Sequence, residues 1–516
     1  MQRYTILWAD DEINLLKAHI MFLESKGYDV SPVNSGVEAL EEIKKKNFDC
    51  VFLDENMPGM PGLAVLSEIK IIKPSLPVIM ITKSEEEHIM EEAIGSKIAD
   101  YLIKPINPNQ ILMSLKKVLH NNQIVSEKIN AKYRDDFMEL SSRYNDCKNF
   151  EDWVDIYKTL VRYDLDIERT DQKSMKEVFL SQKKEANANF SSFIANEYPK
   201  WFDSEENRPM LSHEIIRKKT YNLLKKGEKV FFILVDNLRY DQWLELQPYI
   251  TKYMKVEKEE VYSALLPTTT AYARNSIFSG LLPIDIVKQH RSYWTYEDEE
   301  GSKNQFEGEL LGEQLKRLRL DLPYSFNKIF SNEQGKQYVS TLKNLEKNNL
   351  NAVVFNFVDM LSHARTDMAM IRELASDDAA YRSLTKSWFE HSPLFDLIKE
   401  LSKTDYKIIL TTDHGTVKVD KPIKIIGDRK TTTNLRYKAG KSLSFSSKDA
   451  VVFNDPSKIG LPSRNVSTRY VFAKEDYFFA YPNNYNHYVK YYTDTFQHGG
   501  ISLEEMICPL ITMSKK

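Results

Sequence analysis

Residues Lys407–Thr416 read KIILTTDHGT, an apolar run that stops on Asp413, His414 and a glycine. A short apolar run closed by turn residues predicts a strand buried on both faces, as in a parallel sheet. Open α/β sheets place their ligands beyond the carboxyl ends of such strands. The same construction occurs twice upstream. VFFILVDN ends on Asp236, and NAVVFNFVDMLSH ends on Asp359 with His363 four residues on. Three apolar strands, each delivering an acid at its carboxyl end, predict one shared metal site.

The chain has 516 residues, enough for two or three domains with cores of their own. Apolar residues make up 42% and charged residues 28%, the balance of an ordinary globular protein. A formal net charge of −3 gives no general attraction to nucleic acid or to an anionic membrane. Cys50, Cys147 and Cys508 are too far apart in sequence for a disulfide framework or a thiolate zinc site. No signal peptide is visible, and no apolar stretch approaches the roughly 18 residues of a membrane helix. A cytoplasmic protein without membrane insertion is expected.

Residues 1–122 form the first predicted domain. YTILWADDE ends on Asp10, Asp11 and Glu12, DCVFLDENMPGMPG carries Asp54, PVIMITK ends on Thr82 and Lys83, and DYLIKP ends on Lys104. Alternating strands and helices at this spacing predict a doubly wound parallel sheet, whose edge gathers Asp10, Asp11, Asp54, Thr82 and Lys104. Clustered carboxylates suit Mg²⁺, and with charge neutralised by the ion and Lys104, Asp54 is able to accept a phosphoryl group. This segment resembles a response-regulator receiver domain. The resemblance implies Asp54 as phosphoacceptor; Asp10, Asp11, Asp54 and the backbone of Asn56 as Mg²⁺ ligands; and Thr82, Tyr101 and Lys104 as switch residues. Lys83 departs from the pattern, which has a small residue there.

From Asn109 to Tyr198 there is neither proline nor glycine. Apolar residues recur at helical spacing, as at Phe137, Leu140 and Tyr144, then Trp153, Ile156, Tyr157 and Leu160. Residues 123–206 are therefore expected to be a helical linker bundle that relays the receiver's state, with dimerisation on phosphorylation. No helix-turn-helix with a basic reading helix is present in the sequence, so no direct DNA-binding output is expected.

Residues 207–516 return to an α/β pattern. YSALLPTTTAYARNSIFSG carries Thr268, Thr269 and Thr270 just before a predicted helix, where a hydroxyl meets free N–H groups. Residues 283–335, rich in Tyr, Glu, Lys and Gln, read as an insertion over the active face. Asp359 and His363 share one helix face. QHGGISLEEMICPL brings His498 on a glycine-flanked turn. Mixed carboxylate and imidazole donors suit Zn²⁺ better than Mg²⁺, and the number of donors is enough for two ions. Arg274 and Asn275, just after the threonines, are candidates to hold phosphate oxygens.

The order Asp, Thr, Asp-x-x-x-His, Asp-His, His-Gly-Gly resembles the alkaline phosphatase superfamily. That resemblance implies one zinc on Asp359, His363 and His498, and a second on Asp236, Thr270, Asp413 and His414. It implies Thr270 as the nucleophile, because the last threonine of PTTT aligns with the nucleophile of the phosphodiesterase branch. Receiver, helical linker and hydrolase-like half together resemble the PglZ-domain response regulators associated with type IX secretion. This implies a zinc-dependent phosphodiesterase output acting on oligonucleotides or cyclic nucleotides. The implied partners are a sensor histidine kinase, a sigma factor and secretion-system components. An alternative reading of the same residues is a phosphorylation-switched scaffold in which zinc is structural.

Overall fold

The computed structural model describes residues 4–83, 98–168, 173–297, 299–427, 431–446 and 448–516. They fall into two compact units, residues 1–136 with 169–172, and residues 137–168 with 173–516.

The first unit is built on strands β1 (Thr5–Ala9), β2 (Asp29–Val33), β3 (Cys50–Asp54), β4 (Val78–Thr82) and β5 (Asp100–Ile103). All pair in parallel, in the order β2-β1-β3-β4-β5. Side chains alternate across the sheet, so Leu7, Ala9, Val51 and Leu53 enter one apolar layer and Ile6, Trp8 and Phe52 the other. The helix Gly36–Lys45 shows how the flanking layer is specified. Ser35 caps it by accepting from the Glu38 amide, Ala39 and Ile43 are buried, and Lys44 and Lys45 complement its carboxyl end.

The second unit centres on a six-stranded sheet in the order β7-β18-β10-β6-β9-β8. These strands are β6 (Val230–Val235), β7 (Met254–Ser263), β8 (Tyr324–Ile329), β9 (Leu350–Phe355), β10 (Lys407–Thr411) and β18 (Ile507–Lys515). Strands β10, β6, β9 and β8 run parallel, and β18 is antiparallel to both of its neighbours. The three acid-bearing strands are adjacent, with β6 between β10 and β9, and almost all their residues are buried. Their carboxyl ends therefore converge.

One expectation is corrected here. Residues 283–335 are not an insertion throughout, because β8 is the edge strand of the main sheet and pairs with β9 over Tyr324–Ile329. The excursion over the site is instead residues 417–497. It holds β11 (Val417–Lys418), β12 (Lys421–Lys424), β13 (Tyr437–Gly440), β14 (Ala450–Phe453), β15 (Arg469–Ala473), β16 (Tyr477–Ala480) and β17 (Phe496–Gln497), arranged as small separate sheets. It begins and ends on a shared pair, Val417 opposite Gln497, which ties its two stems together.

Packing runs across the boundary expected at residue 207. The helices Phe150–Glu168 and Lys173–Glu197 belong to the same compact unit as the sheet. Their apolar faces, with Trp153, Tyr157, Phe190 and Ile194, are buried. The Tyr198 hydroxyl, just beyond, accepts from the Leu266 amide at 2.8 Å. These two helices of the linker bundle thus form a packed layer of the second unit.

Candidate functional site

The pocket of the first unit forms at the carboxyl ends of β1, β3 and β5. Lys104 Nζ lies 2.9 Å from Asp10 Oδ2 and 2.8 Å from Asp54 Oδ1. Both carboxylates are buried, while Asp11 is exposed. Oxygen atoms of Asp10, Asp11 and Asp54 come within 4.8 Å of one another, the donor set for a hard cation. Burial pushes the Asp54 carboxyl up, opposed by Lys104 and reinforced by Asp10 and Asp11. Thr82 is buried at the end of β4, and Asn56 and Tyr101 are exposed. Lys83 reaches Glu12 at 3.7 Å.

In the second unit two donor groups face each other. Asp236, Asp413 and His414 form one, and Asp359, His363 and His498 the other, each with ligand atoms within 4.8 Å. Asp236 follows β6, Asp413 and His414 follow β10, and Asp359 and His363 lie one turn apart on the helix Phe357–Asp367 after β9. His498 arrives from the far stem of the excursion, directly after β17. Gly499 next to it has φ of +120°, a conformation that favours glycine.

The histidines are oriented from behind. Nδ1 of His414 lies 3.1 Å from the Gly415 carbonyl oxygen, and Nδ1 of His498 lies 3.2 Å from that of Thr268. Each Nδ1–H thus donates to backbone and leaves Nε2 facing the centre, as metal-ligating histidines require. Burial depresses the His414 imidazole, and burial with the neighbouring His414 holds His498 down at about 3. Both rings are neutral at ordinary pH and able to ligate.

The acids carry a matching signature. Burial and Asp413 drive the Asp236 carboxyl well above its usual range, and burial raises Asp413 to about 6. Burial opposes the charge of Asp359 too, but the hydrogen bond with His363 holds it ionised. Oδ2 of Asp413 is buried without a hydrogen-bond partner, 3.7 Å from Nε2 of His414. Buried polar atoms are nearly always paired, so this orphan oxygen and the imidazole beside it suit the ligand shell of a cation. The donor sets fit metal ions at both groups.

Of the three threonines, Thr270 alone reaches this centre. Its Oγ1 lies 3.2 Å from His414 Nε2 and 3.5 Å from Asp236 Oδ1. Thr268 Oγ1 instead donates to the Gly500 carbonyl and accepts from the Gly499 amide. Thr269 Oγ1 is buried and without a partner.

Arg274 and Asn275 are placed differently from expectation. Arg274 donates to Asp236 Oδ2 and Glu307 Oε1, both at 2.6 Å, and is buried. Asn275 donates to the carbonyls of Ala271 and Lys303 and accepts from Asn304. Arg274 thus turns Nε and Nη1 to buried carboxylates, and Asn275 turns its amide to backbone carbonyls and Asn304.

Asn237 is a member of the site that sequence patterns do not flag. With φ of +64°, its amide lies 3.3 Å from Asp413 Oδ1 while its side chain donates to Asp359 Oδ1 at 3.3 Å. It bridges the two donor groups, and asparagine is among the few residues that enter this backbone region readily. Its place immediately after Asp236 was the only cue.

Comparison with known proteins agrees with this architecture. Residues 6–116 match the response regulator receiver domain model, 123–202 the PorX response regulator linker domain, and 215–513 the BREX system PglZ alkaline phosphatase-like domain. The transcriptional regulatory protein ZraR of Escherichia coli K12 is 37% identical over 123 residues, 24% of this chain and 28% of that protein. SrrA of Staphylococcus aureus is 29% identical over 135 residues, 26% of this chain and 56% of that protein. A CheY-like receiver structure from Methanospirillum hungatei, at 26% identity and a TM-score of 0.23, covers 23% of this chain and 96% of its own. The chain thus spans less than two thirds of the length of these curated relatives. The PglZ match spans more than half of the residues, and with the two preceding matches it places the chain among the PorX-type response regulators, with a PglZ alkaline phosphatase-like output domain.

Proposed function

We propose that phosphorylation of Asp54 controls a zinc-dependent phosphodiesterase centred on Thr270. The observation that carries this reading is the Thr270 hydroxyl, 3.2 Å from His414 Nε2 and 3.5 Å from Asp236, beside two facing donor groups. Asp236, Asp413 and His414 would hold one zinc, and Asp359, His363 and His498 the other. Bound there, zinc supplies Lewis-acid neutralisation of phosphate charge and a lowered hydroxyl pKa.

The protein's own groups do the rest. Thr270 Oγ1 forms the bond to phosphorus as the bond to the leaving oxygen breaks, and water then cleaves the threonine ester to restore the hydroxyl. Arg274 opposes the rise of the Asp236 pKa and orients that carboxylate from the rear, and Asn237 ties Asp359 to Asp413. A cleft of about 550 Å³, lined by Tyr272, Tyr296, Arg464 and Tyr470, shares Tyr272 with the turn that bears Thr270 but includes none of the donor residues. Its size and aromatic lining suit a nucleotide-sized diester. By family resemblance the substrates are oligonucleotides or cyclic nucleotides, and the setting is type IX secretion, with a sigma factor and secretion components downstream. In the first unit, Asp10, Asp11, Asp54 and Asn56 would hold Mg²⁺, with Lys104 as fixed counter-charge.

The test is hydrolysis of a chromogenic phosphodiester by wild type and Thr270→Ala, with zinc content measured in both. Activity that collapses while zinc is retained supports the reading. A wild type that binds two zinc ions and cleaves neither this nor a nucleotide diester overturns it.

A further inference from the structure

The segment that follows His498 is held by a helix remote in sequence. Asn187, on the helix Lys173–Glu197, accepts from the Leu503 amide at 2.8 Å and donates to Glu504 Oε2 at 3.1 Å. Lys183, one turn earlier, reaches Glu504 Oε1 at 2.9 Å. Ser191, one turn later, lies 3.4 Å from the Ile501 carbonyl oxygen. Three side chains on one helix face therefore fix residues 501–504, and Asn187 and Glu504 are both buried.

From there the constraint passes to the donor residues through short covalent spans. Glu505 accepts from the Gly500 amide at 2.9 Å through Oε1, and its carbonyl accepts from the Gly415 amide at 3.2 Å. Gly415 leaves no slack, because a Cβ on it would stand 2.0 Å from the Glu504 carbonyl oxygen. The stretch 503–505 is thus wedged between the loops of His414 and His498. The same lysine also lies 3.4 Å from Asp378 Oδ2, and Asp378 Oδ1 accepts from Arg239 on the Asp236 loop at 2.6 Å.

Resting on the hydrolase reading above, the geometry points to Lys183 and Asn187 as positioning residues of the metal centre, through which the helix Lys173–Glu197 sets where His498 stands. The linker helix acts as a lever on the active site, not as a spacer. Groups that orient ligating histidines typically change metal affinity or activity about 10–100-fold when removed.

The experiment uses full-length protein with Asn187→Leu, Lys183→Met and the conservative Lys183→Arg. Hydrogen–deuterium exchange is read over residues 499–504 and over β10 without metal, and Co²⁺ affinity and visible absorption are then read. Expected are exchange at 499–504 faster by about tenfold or more with β10 unchanged, and one of two Co²⁺ equivalents weakened about 10–100-fold with an altered spectrum, both restored by Lys183→Arg. Unchanged exchange at 499–504 overturns the proposal. So does acceleration shared equally by β10, which marks a merely structural role, or an unaltered Co²⁺ spectrum. A wild type that binds Co²⁺ without cleaving a diester defeats the hydrolase reading alone, and one that binds no Co²⁺ defeats the metal reading. In both cases exchange at 499–504 still decides whether Lys183 and Asn187 hold the loop.

Discussion

The imidazoles of His414 and His498 stack face to face, with ring centroids 4.2 Å apart and planes inclined by 14°. One ring belongs to each donor group, so the two groups share a wall and neither histidine moves independently. Both rings are also held from behind by backbone carbonyls. Metal uptake should therefore be coupled. His498→Ala is expected to abolish one zinc equivalent and to weaken the other by about tenfold, the usual effect of losing an orienting neighbour. Isothermal titration of zinc into wild type and variant reads this directly; loss of one equivalent with the other unaffected would show the sites to be independent.

Thr268 and Thr270 should fail in different ways. Thr270→Val removes the nucleophile while preserving shape, and hydrolysis should fall by roughly 10³-fold or more with stability near wild type. Thr268→Val leaves the nucleophile but breaks the bonds to Gly499 and Gly500, both buried. Its cost should appear as about 1–3 kcal/mol of stability and only partial loss of rate. Denaturant titration beside initial rates separates the two variants.

Arg274 lies between Asp236 and Glu307. Arg274→Met leaves two buried carboxylates without their shared cation, with Lys328 and the Asn304 amide remaining on Glu307. Breaking a buried pair in this way costs roughly 3–5 kcal/mol. Zinc at the first donor group supplies a replacement charge for Asp236, so added zinc should restore more of the melting temperature to the variant than to wild type. Thermal unfolding with zinc and with a chelator checks both the loss and the rescue.

How far the sequence could be read follows from burial. Strands β6, β9 and β10 are covered on both faces, so they appear as unbroken apolar runs, and the acids that end them are conspicuous. Strand β8, YSFNKI, lies at the sheet edge with half-buried side chains, and its mixed composition hides it. The excursion at 417–497 is built from strands of two to five residues, too short for a periodic signal. Asp164, Lys183 and Arg382 read as solvated charge, yet Arg382 is buried and pairs with Asp164, Glu168 and Asp241. A charge that finds its counter-charge through folding cannot be told from a surface charge in a linear chain. For the same reason Arg274 looked available to substrate.

Lys438 gives a stability prediction with a definite pH window. Its side chain is buried, donates to the Thr432 carbonyl at 2.8 Å, and lies over the Tyr481 ring. Burial lowers its pKa from 10.5 to about 7, against a smaller upward pull from Glu297. The unfolded chain therefore binds more protons than the folded one between about pH 7 and 10.5, and stability rises with pH across that window. Below the folded value the destabilisation is fully present. Lys438→Met removes it, while the Thr432 carbonyl keeps the Tyr481 hydroxyl. The variant should melt above wild type at pH 6, and the difference should shrink steadily toward pH 10. A gain that is equal at both pH values would mean that packing, not ionisation, sets it.

The domain boundaries yield the last prediction, because the packed helical layer makes two dissections of the chain unequal. Cutting before residue 207 removes Trp153, Tyr157, Phe190, Ile194 and Tyr198 from the apolar face they cover. It also leaves Asp378 and Glu504 without Lys183, and Arg382 without Asp164 and Glu168. Among the described residues Glu504, almost wholly buried, then has no cation, while Asp378 keeps only Arg239 and Arg382 only Asp241, and losing partners of buried charges costs several kcal/mol. Marginal stability of 5–15 kcal/mol, typical of folded proteins, does not absorb that sum. A fragment of residues 207–516 should therefore be insoluble or unfolded, whereas residues 137–516 should give a cooperative melt and bind zinc. Circular dichroism and thermal unfolding of the two fragments test this. A cooperative, zinc-binding 207–516 would show the helices to be dispensable to the fold, and the tie between Asn187 and the Leu503–Glu504 segment would then have to be a regulatory contact alone.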